Sequence, residues 1–388
     1  MAYGADALYL AGKQYGMRAA AGNFSDAELE DVLQLAHGQG VKVYVTVNIF
    51  AHNQHLGGLP EYLEYLESIG VDAIIVADPG VFRLAKLHAP MTALHISTQA
   101  NTTNAEAVKF WKDQGAQRVV LARELTREDI QSITEQVDIE LEMFVHGAMC
   151  MAYSGRCMLS KTLTGRDANL GACAQSCRWA YSVMESTRPG EYFPVEETEE
   201  GTYLFNSKDL CLVNYVPELV NIGVHSLKIE GRMKSVYYTA AVTRAYRMAV
   251  DRVLAGTGDQ PGQEDLLTEL RKVSHRPYYE GFYLGENPGT HWSSTSYEQT
   301  WDFVGLVEEY DARRQAALVD VRNRLLVGDA LEILQPHDRV VEYTVSGMEH
   351  SQSGEMLSEA HANTKVWIPM GIVQPYSILR RGKELAGE

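Results

Sequence analysis

The chain has 388 residues, 45% hydrophobic, 22% charged and 9% aromatic, which supplies a large core and points to two globular domains. Its formal net charge of −17 excludes a broadly basic surface for nucleic acid but leaves room for a local basic groove. No apolar stretch reaches the length of a membrane span and no secretory signal opens the chain, so the expected compartment is the reducing cytoplasm, with no membrane partner.

In chain order, apolar β-branched runs at 8–10, 43–47, 73–76, 94–96, 119–121 and 139–145 read as strands. Helical patterns lie between them. Ser25 and Glu28 form a capping box ahead of Leu29, Val32, Leu33 and Ala36. Pro60 suits the first turn of a helix that stops at Gly70, and Asn104 caps one that ends near Gly115. Thr126 and Asp129 open another. A segment rich in Gly, Ser and Arg interrupts at 147–200; strands at 203–205 and 226–229 and a long helix from Ser235 to about Leu254 then follow. Strands alternating with helices imply crossover units and a parallel sheet. The expected fold is a (β/α)8-like TIM barrel over residues 1–296 with the cysteine-rich insertion, and an open doubly wound sheet is the alternative. From about Trp301, short alternating runs at 303–307, 316–321, 330–334, 340–345 and 365–368 predict a small all-β, barrel-like C-terminal domain over 297–388.

The insertion carries four of the five cysteines, Cys150, Cys157, Cys173 and Cys177, in the pattern Cys-x6-Cys-x15-Cys-x3-Cys. In a reducing compartment, clustered cysteines read as metal ligands or redox thiols before disulfides. Structural zinc uses short paired knuckles, which only the Cys173–Cys177 spacing provides. Iron–sulfur clusters accept more varied spacings, so the pattern favours a cluster over zinc, with four unrelated buried thiols as the bland alternative. Cys211 reads as a small buried hydrophobe.

In a parallel barrel, residues just beyond the strands share one mouth. Here these are Asn48, Gln99, Arg123 with Glu124, His146, Asn206 with Lys208 and Asp209, and Glu230 with Arg232; Lys228 ends the preceding run. Singly, each reads as a cap or loop residue; together they suit a polar pocket for an anionic ligand. The basic run Lys228, Arg232, Lys234, Arg244, Arg247 and Arg252 reads, on charge alone, as a solvated helix face. Neither a His-Glu-x-x-His pair nor a Gly-x-Ser-x-Gly elbow is present, and only Cys150 beside His146 imitates a peptidase dyad.

The run Glu142-Met143-Phe144-Val145-His146-Gly147-Ala148-Met149-Cys150, continued by Ser154-Gly155-Arg156-Cys157, resembles the signature of the collagenase-like peptidase family of unassigned catalytic type, peptidase family U32. The likeness covers nearly the whole chain, including Tyr3-Gly4-Ala5-Asp6-Ala7, Ser97-Thr98-Gln99-Ala100-Asn101, Asn206-Ser207-Lys208-Asp209-Leu210 and Lys228-Ile229-Glu230-Gly231-Arg232. The resemblance implies a 4Fe–4S cluster on Cys150, Cys157, Cys173 and Cys177. It also implies prephenate-dependent formation of 5-hydroxyuridine at the tRNA wobble position; relatives act on ribosomal RNA or a ubiquinone precursor. Family members begin a strand and a helix earlier, so the resemblance implies a first strand ahead of Tyr3.

On this reading His146, Lys228, Glu230 and Arg232 are the candidate catalytic residues. Asn48, Gln99, Arg156, Arg166, Arg178, Asn206, Lys208 and Asp209 are the candidate substrate-binding residues. Expected partners are tRNA, a small dicarboxylate co-substrate, and a related subunit or second copy of the chain. A collagenase-like peptidase and a non-catalytic RNA-binding module are the competing functions.

Overall fold

The computed structural model describes residues 1–16, 22–150, 152–178, 197–198, 201–202, 208–257, 265–285, 298–337 and 339–383. Among these, no helix is long and apolar enough to cross a membrane. Contacts divide the chain into two compact units. The first comprises Asp6–Met233 and Arg276–Ser296, and the second Ala2–Ala5, Lys234–His275 and Tyr297–Glu388. The sequence pattern draws its boundary at 296; by contacts, the helical stretch from Lys234 falls in the second unit.

In the first unit, six strands follow one another in parallel: β1 (Ala7–Leu10), β2 (Lys42–Val47), β3 (Ala73–Val76), β4 (Ala93–Ile96), β5 (Arg118–Val120) and β6 (Glu140–Ala148). The crossovers are α1 (Asp26–His37), α2 (Leu59–Ser68), α3 (Pro79–His88), α4 (Ala105–Gln114) and α5 (Arg127–Thr134). Their starts are those the sequence marks. Ser25 and Thr126 each close a capping box, and Asn104 accepts from the Ala107 amide. α4 stops at Gly115, whose φ of 100° is left-handed. Leu59, Leu63 and Leu66, one face of α2, are fully buried, which is why this short helix holds its place. A short helix, α6 (Leu159–Thr164), lies within the cysteine segment.

Beyond β6 the rhythm changes. β7 (Asp209–Cys211) runs antiparallel to the last residues of β6, with His146 opposite Cys211 and Ala148 opposite Asp209. After α7 (Val216–Asn221), β8 (Ser226–Ile229) returns parallel to β6, and β9 (Tyr278–Tyr279) lies parallel to β7. The strand predicted at 203–205 lies outside the described residues. Seven parallel strands, β1 to β6 and β8, together with β7 and β9, make up a nine-stranded, TIM-barrel-like sheet among the described residues. The sheet curls until its two ends meet: the Tyr9 hydroxyl of β1 donates to the Ile229 carbonyl of β8 at 3.3 Å.

The second unit carries α8 (Val236–Leu254), capped by Ser235, α9 (Leu266–Arg271), and an antiparallel sheet. Its strands are β10 (Trp301–Asp311), β11 (Ala316–Val321), β12 (Ala330–Leu334), β13 (Val341–Thr344), β14 (Met348–His350), β15 (Met356–Leu357), β16 (Lys365–Pro369) and β17 (Ile378–Gly382), in the order β13-β12-β17-β10-β11-β16-β14-β15. Val304, Val319, Leu379 and Ile368 are fully buried in its core. The basic run does not read as a solvated face: Arg244 of α8 is buried, and Lys228 is buried in the first unit.

One buried cation ties this unit together. Arg380 of β17 is fully buried and reaches Glu332 and Glu269 at 2.6 Å each, with the Tyr237 hydroxyl at 3.3 Å and the Trp301 ring beneath the guanidinium. Two carboxylates from different elements therefore depend on one planar fork. Arg380→Met fits the stem but removes that fork, and urea unfolding is expected to show a loss of about 3 kcal/mol. A loss under about 1 kcal/mol would show that Lys272, which also contacts both carboxylates, suffices alone.

Candidate active site at the barrel mouth

A cluster of charged side chains is buried between β5, β6 and β8. Glu142 of β6, almost fully buried, receives Lys228 Nζ at 2.6 Å, Ser226 Oγ at 2.7 Å and an Arg118 nitrogen at 3.2 Å. Burial alone pushes this carboxyl up; Lys228, Ser226 and Arg118 override burial and hold it down at about 2. Arg118 also grips Glu140 through two nitrogens and reaches the Tyr44 hydroxyl. Beside them His95 is pushed down to about 4, chiefly by burial and then by Arg118, so it is neutral at pH 7. Lys228 lies 4.4 Å from the Tyr9 ring centre and 5.6 Å from that of Phe144. Parallel register puts Glu142 opposite Ser226 and Lys228 opposite Phe144, so these contacts fix β6 against β8.

Above this layer lie the strand ends. Asn48, beyond β2, donates to Gln99 at 2.9 Å and to Ser97 at 3.4 Å, and Ser97 donates to Gln99 as well. Arg156 Nε donates to the Gln99 carbonyl at 3.0 Å, and its guanidinium lies near the Phe50 ring. At the end of β8, Glu230 accepts from the Tyr9 hydroxyl at 3.0 Å and from the Arg232 amide at 3.3 Å. Burial first, and then Glu230, hold the Tyr9 phenol well above its ordinary value, so it stays protonated and donates. Arg232 reaches Asn23 at 2.9 Å. Arg123 lies 3.9 Å from the Phe144 ring centre.

Two expectations about these residues are corrected. His146 lies within a strand rather than beyond one, because β7 pairs with β6 and extends it to Ala148. It is buried beside the Tyr278 ring, 5.2 Å between centres, and its carbonyl accepts the Glu230 amide at 2.9 Å. Gly147 permits that closeness: its φ is 113°, and a Cβ there would stand 2.6 Å from the Glu230 carbonyl oxygen. Lys228 likewise lies inside β8, in the buried ion pair, not at the rim.

The four clustered cysteines form no disulfide and are half-buried, on loops fastened to these strand ends. Asn169 takes both backbone groups of Cys157, accepting its amide at 3.2 Å and donating to its carbonyl at 3.1 Å. The Asn169 carbonyl in turn accepts the Phe50 amide, just past β2. The Ser160 hydroxyl accepts the Ala174 amide, and the Gln175 amide points at Cys173 Sγ, 3.4 Å away. Burial raises the Cys150 thiol, and the neighbouring Cys157 and Cys173 add to the rise; Arg123 opposes it. Cys157 and Cys173 thus each lie near enough to Cys150 to influence it. Among the described residues, no three His, Cys, Asp or Glu side chains converge as ligands of a single ion would. Cys211 is buried in β7, as a small hydrophobe.

The structure therefore joins Asn48, Gln99 and Arg156 in one chain of contacts, and His146, Glu230 and Arg232 in another. Arg166 is exposed on the cysteine segment. Lys208 lies over the Tyr279 ring at 6.0 Å, and Asp209 is fully buried and accepts the Arg276 amide. Asn206 and the Arg178 side chain lie outside the described residues. The sequence reading did not single out Tyr9, Asn23, Asn169 or Glu142. Only Glu142 left a signal, a carboxylate alternating with Glu140 through an otherwise apolar strand.

The family model described as "Peptidase family U32" matches residues 1–293, and "Peptidase family U32 C-terminal domain" matches residues 299–380. The chain is 39% identical to "tRNA hydroxylation protein P1" of Bacillus subtilis, covering 98% of this chain and 91% of that protein. It is 38% identical to "tRNA hydroxylation protein P" of Escherichia coli, covering 95% and 90%. It is also 30% identical to a protein named "Collagenase" from Porphyromonas gingivalis, covering 92% and 89%.

The Glu142 cluster makes a pH-dependent prediction. A carboxyl held at about 2 in the folded chain and near 4.5 when unfolded contributes stability that is complete above 4.5 and is lost as pH falls toward 2. Lys228→Met leaves this carboxylate underpaired and is expected to lower stability by about 3 kcal/mol at pH 7. Glu142→Leu with Lys228→Met is expected to recover most of that loss and to flatten the decline between pH 4.5 and 2 in urea titrations. A double variant less stable than Lys228→Met would contradict the pairing.

Proposed function

The chain belongs to peptidase family U32, and from that premise we propose that it is a tRNA-modifying enzyme that hydroxylates the wobble uridine with an iron–sulfur cluster. The observation that carries this reading is the thiol set tied onto the mouth of a barrel whose relatives, at 38% and 39% identity, are named for tRNA hydroxylation. Cys150, Cys157, Cys173 and Cys177 would hold the cluster. Four thiols on one segment, none in a disulfide, with Cys157 and Cys173 each near enough to influence Cys150, suit a thiolate-ligated group. Such a cluster supplies single electrons when bound.

The chain's own residues supply position and charge. Glu230 and Arg232 stand at the mouth beyond β8, oriented by Tyr9 and Asn23; Asn48 and Gln99 stand beyond β2 and β4. Arg232 and Arg156 offer guanidinium groups for a small dicarboxylate co-substrate of the prephenate class. With a net charge of −17, tRNA would be gripped locally, by the exposed Arg156 and Arg166 with the exposed Tyr153 ring between the cysteines as a stacking surface. Peptidase chemistry has support from the Porphyromonas relative's name. Against it, a cysteine nucleophile needs a lowered pKa, whereas the Cys150 thiol is raised.

Anaerobically isolated protein is expected to carry about four irons per chain. Cys150→Ala and Cys177→Ala are expected to lose them, and Cys211→Ala to keep them. In a strain lacking the gene and any paralogous pathway, mass spectrometry of tRNA nucleosides is expected to show loss of wobble 5-hydroxyuridine derivatives, restored by the wild-type gene and not by Cys150→Ala. Stoichiometric zinc without iron would overturn the cofactor, and unchanged nucleosides would overturn the activity.

A further inference from the structure

Midway between Cys150 and Cys157 the backbone takes a conformation that serine seldom adopts. Ser154 has φ 43° and ψ 36°, the left-handed region, and is buried to 1% exposure. Such a residue persists only where its surroundings over-determine it. Here Glu124, four residues past the end of β5, supplies that determination. One carboxylate oxygen accepts the Ser154 amide at 2.5 Å and the other accepts the Ser154 hydroxyl at 2.6 Å. The hydroxyl in turn accepts the Arg123 amide at 3.3 Å, so it is used in both directions.

We infer that Glu124 is a positioning residue for the cysteine loop: its carboxylate locks Ser154 in the left-handed conformation and so sets where Cys150 and Cys157 present their thiols. The inference rests on the reading that these thiols hold a cluster. A carboxylate suits the task because both its oxygens accept and share its charge, whereas a carboxamide offers one neutral acceptor and removes the charge from both bonds. Arg156 and Gly155 rest against Gln99, and Asn169 holds the Cys157 backbone, so the loop has three further attachments to the barrel. Among these, Glu124 alone takes a charged hydrogen bond from the loop's buried midpoint.

The test uses Glu124→Gln, Glu124→Asp, Ser154→Ala and the Glu124→Gln/Ser154→Ala double variant in the full chain. In metal-free protein, maleimide labelling rates at each cysteine are read by peptide mass spectrometry. Glu124→Gln is expected to speed labelling of Cys150 and Cys157 about tenfold, the scale of one lost charged hydrogen bond, with Cys173 and the melting temperature unchanged. Glu124→Asp is expected to restore part of the protection, and the double variant to be no faster than Glu124→Gln. After anaerobic reconstitution, Glu124→Gln is expected to shift the midpoint potential and the reduced cluster's paramagnetic resonance spectrum, and to release iron to a chelator about tenfold faster. Labelling rates equal to wild type, or raised uniformly at all four cysteines, would overturn the clamp. Wild-type protein that takes up no iron would overturn the cluster reading alone, since the labelling arm decides the clamp without metal.

Discussion

A carboxylate buried on the axis of a barrel is unstable unless its charge is answered, and Glu142 is answered from two neighbouring strands. Lys228 and Ser226 come from β8 and Arg118 from β5. A hydrophobic filling of equal volume would be as stable or more so, but it would tolerate a slip of register that this pairing forbids. The consequence lies one layer higher. With β5, β6 and β8 fixed in register, Glu124, Gly147 and Glu230 emerge at set heights, and the mouth inherits its geometry from the ion pair beneath it.

The mouth divides its work between rigid and irregular parts. The ends of β2, β4 and β5 furnish Asn48, Gln99 and Glu124; the loops that carry the thiols have little regular structure and borrow order from those ends. Asn169 acts as a surrogate strand partner for Cys157, pairing with both its amide and its carbonyl. Half-burial of the cysteines then follows: they are shielded enough to raise the Cys150 thiol, yet near a rim where exposed Arg156 and Arg166 face solvent. Loading metal on such thiols requires their protons to leave, so affinity for a thiolate-bound group rises with pH.

Much of the scaffold was legible because its signals are local. Ser25, Asn104 and Thr126 begin helices through hydrogen bonds three residues away, and the apolar runs at 43–47 and 73–76 are buried on both faces as parallel strands demand. The cysteines were legible as a set from spacing alone. What stayed hidden depends on partners distant in the chain. His146 read as a loop residue because nothing near it announces β7, which extends its strand from 63 residues downstream. Lys228 read as a rim residue because its partner Glu142 lies 86 residues earlier. Asn169 and Ser154 look like ordinary loop residues in a segment full of them; only the fold shows which backbone groups they serve.

The central claim is that the thiol-bearing mouth performs an oxygen insertion on tRNA. The most direct test is a reaction with purified components: reconstituted protein, unmodified tRNA, prephenate and an oxidant, supplied in parallel as dioxygen with an electron source or as an electron acceptor with water as the oxygen donor, followed by mass spectrometry of the anticodon fragment. Wild-type protein is predicted to add one oxygen at the wobble uridine, with none added by Cys150→Ala. Equal conversion by the cysteine variant, or cleavage of a collagen peptide by wild type with the tRNA untouched, would contradict the account.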